Sequence, residues 1–363
     1  MKKLSDKQRL FQRWKNAYAM RVLREANPRE PHKGGRPSGP RQISQVLEAP
    51  SHFVLISKNK NQNGSDVNKY FEFLAKLRTV STSEILIDMS RVRRMVVDAA
   101  LLFKAELSRL ALVNGVRVSA IPPGSERTQQ VLKQTGIDQL LNLSIDLPLN
   151  REDVVHWRIA EGPRTKVDPT TLAPIMADIE AVTGLATHPI YQGIIESMGN
   201  CVEHAYKDHP DVNRKMPVDP GWWVFQQVKD ETLFVVVCDL GIGVNRALPL
   251  TLENEQGLLR KLMHVFRRTK GDDNRALLAA MEYGRSSTGL YERGRGMRNA
   301  HAVVNDHGEG DFYAISNKGC YVYKKGTAET AGNYKTVKLR HSINGTILGW
   351  RLPLKRTPLK GLS

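Results

Sequence analysis

Two side chains four residues apart, Glu196 and Asn200, give the first sign of chemistry in this sequence. They lie in Ile194-Ile-Glu-Ser-Met-Gly-Asn-Cys-Val-Glu-His-Ala-Tyr206, where Ile194, Met198, Cys201, Val202 and Ala205 recur at helical spacing and mark a core face. Residues i and i+4 of a helix lie one above the other, about one turn apart along the axis, so a carboxylate and a carboxamide face the same space. An amide oxygen can ligate Mg2+ and a carboxylate can orient or deprotonate a nucleophile, which suits the pair to a Mg-nucleotide site. Taken alone, the stretch also fits an ordinary exposed helix, because Glu and Asn are common on solvent faces.

Two glycine motifs follow. Val235-Val-Val-Cys-Asp239-Leu-Gly241-Ile-Gly243-Val is an apolar strand that runs into Asp-x-Gly-x-Gly, and Arg293-Gly294-Arg295-Gly296-Met297 leads into a helical run. Glycines let backbone approach a ligand closely, and successive N–H groups ahead of a helix make a concave anion site. Arg285, Arg293, Arg295 and Arg298 add cations around the second motif, and the chain closes with Gly345-Thr346-Ile-Leu-Gly-Trp-Arg-Leu352-Pro353.

In this order the motifs resemble the N, G1 and G2 boxes of the GHKL (gyrase, chaperone, histidine-kinase, MutL) ATPase superfamily, over roughly residues 165–355. The resemblance implies ATP and Mg2+ as cofactors, with Glu196 as general base, Asn200 as the Mg2+ ligand and Asp239 as acceptor for the adenine amino group. It also implies that Gly241 and Gly243 bring backbone close to the base. Gly294 and Gly296 would line the triphosphate, with Arg295 and Met297 in the same loop, and Thr346 would be the threonine of the closing strand. Glu292 stands where the second motif usually starts with glycine, and Leu240 where a polar residue is frequent.

These residues need a scaffold. Asp168-Pro169 offers an N-cap and first turn for a helix to about residue 182; a helix over 190–206 follows. Residues 222–226 and 232–238 read as adjacent strands turned around Lys229-Asp230, the second delivering Asp239 at its C-terminal end, where α/β sheets place ligand contacts. From 245 to 292 lies an insert with helical runs over 253–266 and 275–283, the position of the superfamily's mobile lid. Strands over 312–316, 320–323, 335–339 and 346–352 complete the expected α/β sandwich of the Bergerat type, a mixed sheet with helices on one face.

Residues 48–147 read as a smaller α/β unit. Phe53-Val-Leu-Ile56, Ile85-Leu-Ile-Asp-Met89 and the alternating run 116–121 are strands, and Val67, Tyr70, Phe71, Leu74 and Leu77 form a helical face. A long helix from about 98 to 113 stops at Asn114-Gly115, and Ser125 caps a short helix ending at Thr135-Gly136. Ile85-Leu-Ile-Asp-Met-Ser90, Val97-Asp98-Ala99-Ala100-Leu101 and Leu132-Lys-Gln-Thr-Gly136-Ile-Asp-Gln-Leu140 resemble the STAS domain of anti-sigma-factor antagonists. Antagonists switched by phosphorylation carry a serine at the long helix start; this chain has Ala99 and Ala100 there, with no hydroxyl.

With 363 residues and 40% hydrophobic content the chain has room for two or three domains. The expected divisions are a basic arm and Pro/Gly linker (1–47), the STAS-like unit (48–147), a linker (148–164), the ATPase-like unit (165–355) and a tail (356–363). No apolar run reaches about 18 residues and none follows the basic start, so the expected address is cytoplasmic, without membrane association. Cys201, Cys238 and Cys320 are few and never in C-x-x-C spacing, which argues against structural zinc and a disulfide framework. The net charge of +17 is concentrated at the start, where residues 1–41 hold 12 Lys/Arg against 3 Asp/Glu. A basic amphipathic helix there, followed by a Pro/Gly linker, suits either an arm for nucleic acid or an acidic partner, or a solvated helix. His204 reads as a packing or hydrogen-bonding side chain, and neither His156 nor His264 lies in the long helical hairpin of a phosphoacceptor.

The combined expectation is a cytoplasmic ATP-binding regulator with slow Mg-dependent hydrolysis, whose nucleotide state controls how a protein partner is engaged. The alternatives are a serine protein kinase of the anti-sigma-factor type and a nucleic-acid-associated ATPase; a homo-oligomer is left open.

Overall fold

The computed structural model describes residues 45–56, 63–167, 169–183, 188–212, 220–252, 272–286, 296–326 and 332–354, all within the unit Ile43–Ser363. The basic arm up to residue 44, the helix expected over 253–266 and residues 291–295 lie outside them. Among the described residues no helix is long and apolar enough to cross a membrane.

The N-terminal module alternates strand and helix: β1 (Val46–Glu48), β2 (His52–Phe53), α1 (Asn63–Arg78), β3 (Glu84–Asp88), β4 (Arg94–Met95), α2 (Val97–Ser108), β5 (Arg117–Ile121), α3 (Glu126–Thr135) and α4 (Ile137–Leu140). Its strands pair in parallel, β1–β3–β5 in one sheet and β2–β4 in another. Of the strand expected over 53–56 only Phe53 is in a strand, since the ladder with β4 covers just His52 and Phe53. The caps of α3 are local and legible: Ser125 Oγ accepts from Thr128 N–H at 3.4 Å, and Gly136 ends the helix with φ +67°. The expected long helix is α-helical only to Ser108, then widens over Arg109–Val113 until Asn114 N–H reaches five residues back to Arg109 O at 3.3 Å.

A hairpin builds the centre of the second part. In β7 (Trp222–Lys229) and β8 (Thr232–Asp239) almost every residue is buried, as in strands covered on both faces. Asp230 and Glu231 take φ of +49° and +53°, the left-handed turn that matches the twist of the flanking strands. Around this hairpin run β6 (Arg158–Gly162), β9 (Gly310–Ser316), β10 (Gly319–Lys325), β11 (Asn333–Lys338) and β12 (Thr346–Pro353), in the order β11–β10–β9–β12–β8–β7–β6. Every pairing is antiparallel, which corrects the expected mixed sheet. The short connections β7–β8, β9–β10 and β10–β11 enforce that direction, and β12 enters between β8 and β9 running against both. Residues 148–164, expected as a linker, contain α5 (Glu152–Val155) and the edge strand β6; Trp157 packs edge-on against Phe225 with ring centres 4.8 Å apart.

The sheet is covered on both sides. On one face α6 (Ala173–Thr183), α7 (His188–Asn200), α9 (Asp273–Ser286) and α10 (Gly296–His307) supply Ile175, Ile194, Met198, Leu277 and Val304, which pack with Trp222, Val224, Val235, Phe312 and Trp350. The other face is not solvated: Trp223, Phe225, Val236, Cys238, Ile315 and Ile347 share one core with α1 and α2 of the N-terminal module. The sequence of α2 shows why, since Ala99 to Phe103, Ala105 and Leu107 are buried all round the helix, and such a helix must be internal.

Asp98 sits at the start of this buried helix. Its Oδ1 accepts from Ala99 N–H at 2.8 Å, and burial pushes its carboxyl up to about 6 against the opposing pull of hydrogen bonds from Ala99 and Tyr313. A folded-state value above the unfolded one means that the native protein keeps a proton that the unfolded chain releases between about pH 4 and 6, so stability from this group falls as pH rises through that window. Asp98→Asn is expected to flatten that slope and raise the melting temperature above pH 6, measured as thermal midpoints from pH 4 to 7; an unchanged profile overturns the expectation.

Candidate functional site

Strand β8 ends at Asp239, and the register places Thr346, the first residue of β12, directly across from it. Asp239 is 5% exposed; its Oδ1 accepts from Gly241 N–H at 2.8 Å, and the Cys201 thiol lies 3.6 Å from its Oδ2. Burial first, and then the charge of Asp239, push that thiol well above its ordinary value, which keeps it neutral.

The glycine turn is stitched to the helix that carries Asn200. After Asn200, α7 continues as a widened turn over Cys201–Ala205, a deviation that recurs at functional sites. Ile242 N–H donates to Ala205 O at 2.7 Å, and a Cβ on Gly241 would lie 2.2 Å from that same oxygen, so only glycine fits. Tyr206 hydroxyl donates to Gly221 O and accepts from Leu240 N–H at 3.1 Å. Gly243 takes φ +82°, with the amide of Asn317 filling the place of a Cβ at 2.1 Å.

A cavity of about 100 Å³ opens beside this turn, bounded by α7, α8 (Val244–Leu252), the start of α10 and the ends of β8 and β12. Its wall is mostly apolar, with Val237, Val244, Ala247, Leu248, Met297 and Leu348, and a few polar groups converge on it: Ser197, Asn200, His204, Asp239 and Thr346. An apolar cleft with a few converging polar groups is the usual form of a small-molecule site. Met297 is the second residue of α10, so the first turn of that helix borders the cavity.

Of the residues singled out by sequence, Asn200, Asp239, Gly243, Met297 and Thr346 line the cavity. Gly241 is buried behind its wall and Gly296 opens α10. Gly294 and Arg295 lie outside the described residues. Glu196 is exposed one turn before Asn200 and does not line the cavity, so the expected pair is split. The helix stripe that faces inward is Ser197, Asn200, Cys201 and His204, and Glu196 lies about 100° round the axis from Ser197. Ser197 is legible in that spacing, and His204, which the sequence reads as a packing or hydrogen-bonding side chain, lies on the same inward stripe. His204 is held below its ordinary value by burial, then by Lys207, with Glu203 at 3.7 Å opposing, so its imidazole is neutral at pH 7.

The amide nitrogen of Asn200 is buried with no hydrogen-bond partner among the described residues, which is costly unless a ligand supplies one. As it stands this amide offers a donor to an anion; turned about its last torsion it offers its oxygen to a cation. No group of three or more His, Cys, Asp or Glu able to hold a metal exists among the described residues. A cation here would therefore complete its shell with ligand oxygens and water, which is how Mg2+ is usually held beside phosphates. No protein-family model matches the chain, and no curated protein matches it.

Proposed function

We propose that the cavity binds ATP with Mg2+ and that the chain is an ATP-binding regulator of the GHKL kind, with slow hydrolysis, joined to a STAS-like module. The observation that supports this best is the convergence of Asp239 from β8, Thr346 from β12 and Asn200 from α7 on one apolar cavity beside a glycine turn. Asp239, buried and acceptor-only when ionised, suits the adenine amino group, and Val244, Leu248 and Leu348 suit its flat faces. The unsatisfied amide of Asn200 suits phosphate oxygens or Mg2+, and the start of α10 suits the phosphates. Bound Mg2+ would neutralise the phosphates and orient the leaving group. Glu196 lies one turn before Asn200 but outside the cavity wall, so its role as the base that deprotonates a water rests on the family resemblance alone.

Calorimetry with ATP and GTP tests the base pocket. Guanine presents a keto oxygen where adenine has its amino group, which would face the Asp239 carboxylate acceptor to acceptor. The parent is expected to prefer ATP, and Asp239→Ala to lose about 10- to 100-fold in ATP affinity, the value of a hydrogen bond to a charged group. Asp239→Asn can still accept from Gly241 N–H, so its loss of ATP separates the base contact from collapse of the turn. Parent-like ATP affinity in both variants overturns the assignment.

A further inference from the structure

A continuous hydrogen-bonded chain runs from the glycine turn at the cavity to the N-terminal module. Asn317, buried and in the left-handed region at φ +50°, is its centre. The Asn317 Nδ2 donates to Ile242 O at 3.1 Å, inside the glycine turn, and its Oδ1 accepts from Ser342 Oγ at 3.3 Å. Its backbone is engaged as well, donating to Gly345 O at 3.1 Å and accepting from Ile343 N–H at 3.0 Å. The neighbouring Ser316 Oγ accepts from Val244 N–H at 2.8 Å, so both residues flanking Gly243 are held from this side.

Loop 342–345 is in turn held by Arg78, the last residue of α1. The Arg78 guanidinium donates to Ser342 O at 2.9 Å and to Ile343 O at 2.6 Å, and its third edge donates to Glu106 Oε1 at 2.6 Å. Glu106 is fully buried and also accepts from Arg109 at 2.8 Å, which fixes the fork of Arg78 in place. His341, just before this loop, rests on α1, its ring stacked on Phe71 with centres 5.7 Å apart.

We propose that Arg78 is a positioning residue for the cavity: the N-terminal module holds the glycine turn in its ligand-accepting shape through loop 342–345 and Asn317, so nucleotide occupancy and the seating of the module are coupled. The proposal rests on the cavity being a nucleotide site. Binding coupling is reciprocal, so a nucleotide that needs the turn in this shape also tightens the contacts of Arg78.

The test uses the full chain. Arg78→Lys keeps a cation against Glu106 but lacks the planar fork that serves two carbonyls and a carboxylate together. Asn317→Gly keeps the left-handed backbone and removes both side-chain bonds. By calorimetry with ATP and Mg2+, each variant is expected to bind about tenfold more weakly than the parent, and the double variant about as weakly as either alone, since both break one chain. Thermal melts without nucleotide report whether each variant is folded. Hydrogen exchange on the parent gives a second readout: ATP is expected to slow the Ile343 amide and the amides at the end of α1, and to do neither in Asn317→Gly. Parent affinity in folded Arg78→Lys, or losses that multiply in the double variant, overturn the coupling alone. If Arg78→Lys does not fold, an absence of ATP-dependent protection at Ile343 and α1 in the parent overturns it. A parent that binds no ATP overturns the nucleotide reading itself, and the coupling with it.

Discussion

Glu196→Ala is expected to keep ATP near the parent affinity while turnover falls by about 10²- to 10⁴-fold, the usual effect of removing a general base. Glu196 is exposed on α7 and does not line the cavity, so its loss leaves the binding wall intact. Asn200→Ala should differ, because it removes a buried amide from the cavity wall and weakens Mg2+-dependent binding as well. Incubation with γ-labelled ATP and co-purified partners measures both variants against the parent. Free phosphate lost in Glu196→Ala supports hydrolysis; label on a partner serine, lost in the same variant, supports the kinase alternative. The N-terminal module cannot take the label at the start of α2, where Ala99 and Ala100 are buried and lack a hydroxyl. Turnover at the parent rate in Glu196→Ala removes that residue from the mechanism and leaves the cavity with a binding role.

Glu106→Ala is expected to cost about 3–5 kcal/mol of stability, the range for breaking a buried ion pair from one side. Its side chain is fully buried, those of Arg78 and Arg109 are 14% and 8% exposed, and Arg109 Nη2 already has no partner, so neither guanidinium regains full hydration when the carboxylate is lost. Urea unfolding at pH 7 should show a lower midpoint with an unchanged slope. Burial opposes charge on Glu106, yet the Arg78 and Arg109 guanidinia hold its carboxyl below the ordinary value. A depressed folded-state value makes this stability present above the ordinary carboxylate range and lost on acidification through the folded value, opposite in sign to Asp98. A loss below about 1 kcal/mol, the level of an exposed pair, would show that the triad is not the clamp described above.

Local chemistry was legible wherever the determining residues are neighbours. Ser125 and Gly136 bracket α3 because a side-chain cap and a left-handed terminus act within one turn. The run from Trp222 to Asp239 reads as two strands because its apolar residues are continuous and interrupted at Lys229 and Asp230. The same run delivers Asp239 to the end of a strand, and the glycine motif shows where backbone must pass closely. What the spacing of Glu196 and Asn200 could not show is which side of α7 would be inward, since residues four apart still differ by about 40° and the cavity wall takes only the Ser197 side.

Propensity, periodicity and caps act over a few residues, and they account for the strand that ends at Asp239, the glycine turn and the polar helix. Long-range packing set Thr346 of β12 opposite Asp239, ran every strand of the large sheet against its neighbour, and made 148–164 supply an edge strand. It also decided that the N-terminal module would not stand apart. The second apolar face of the sheet, with Trp223, Phe225 and Val236, and the all-round apolar α2 each needed a cover, and each is the cover of the other. That choice joins residues distant in the chain, as Arg78 meets Ser342 across 264 positions, and no local pattern encodes it because burial is shared between surfaces rather than carried by either one.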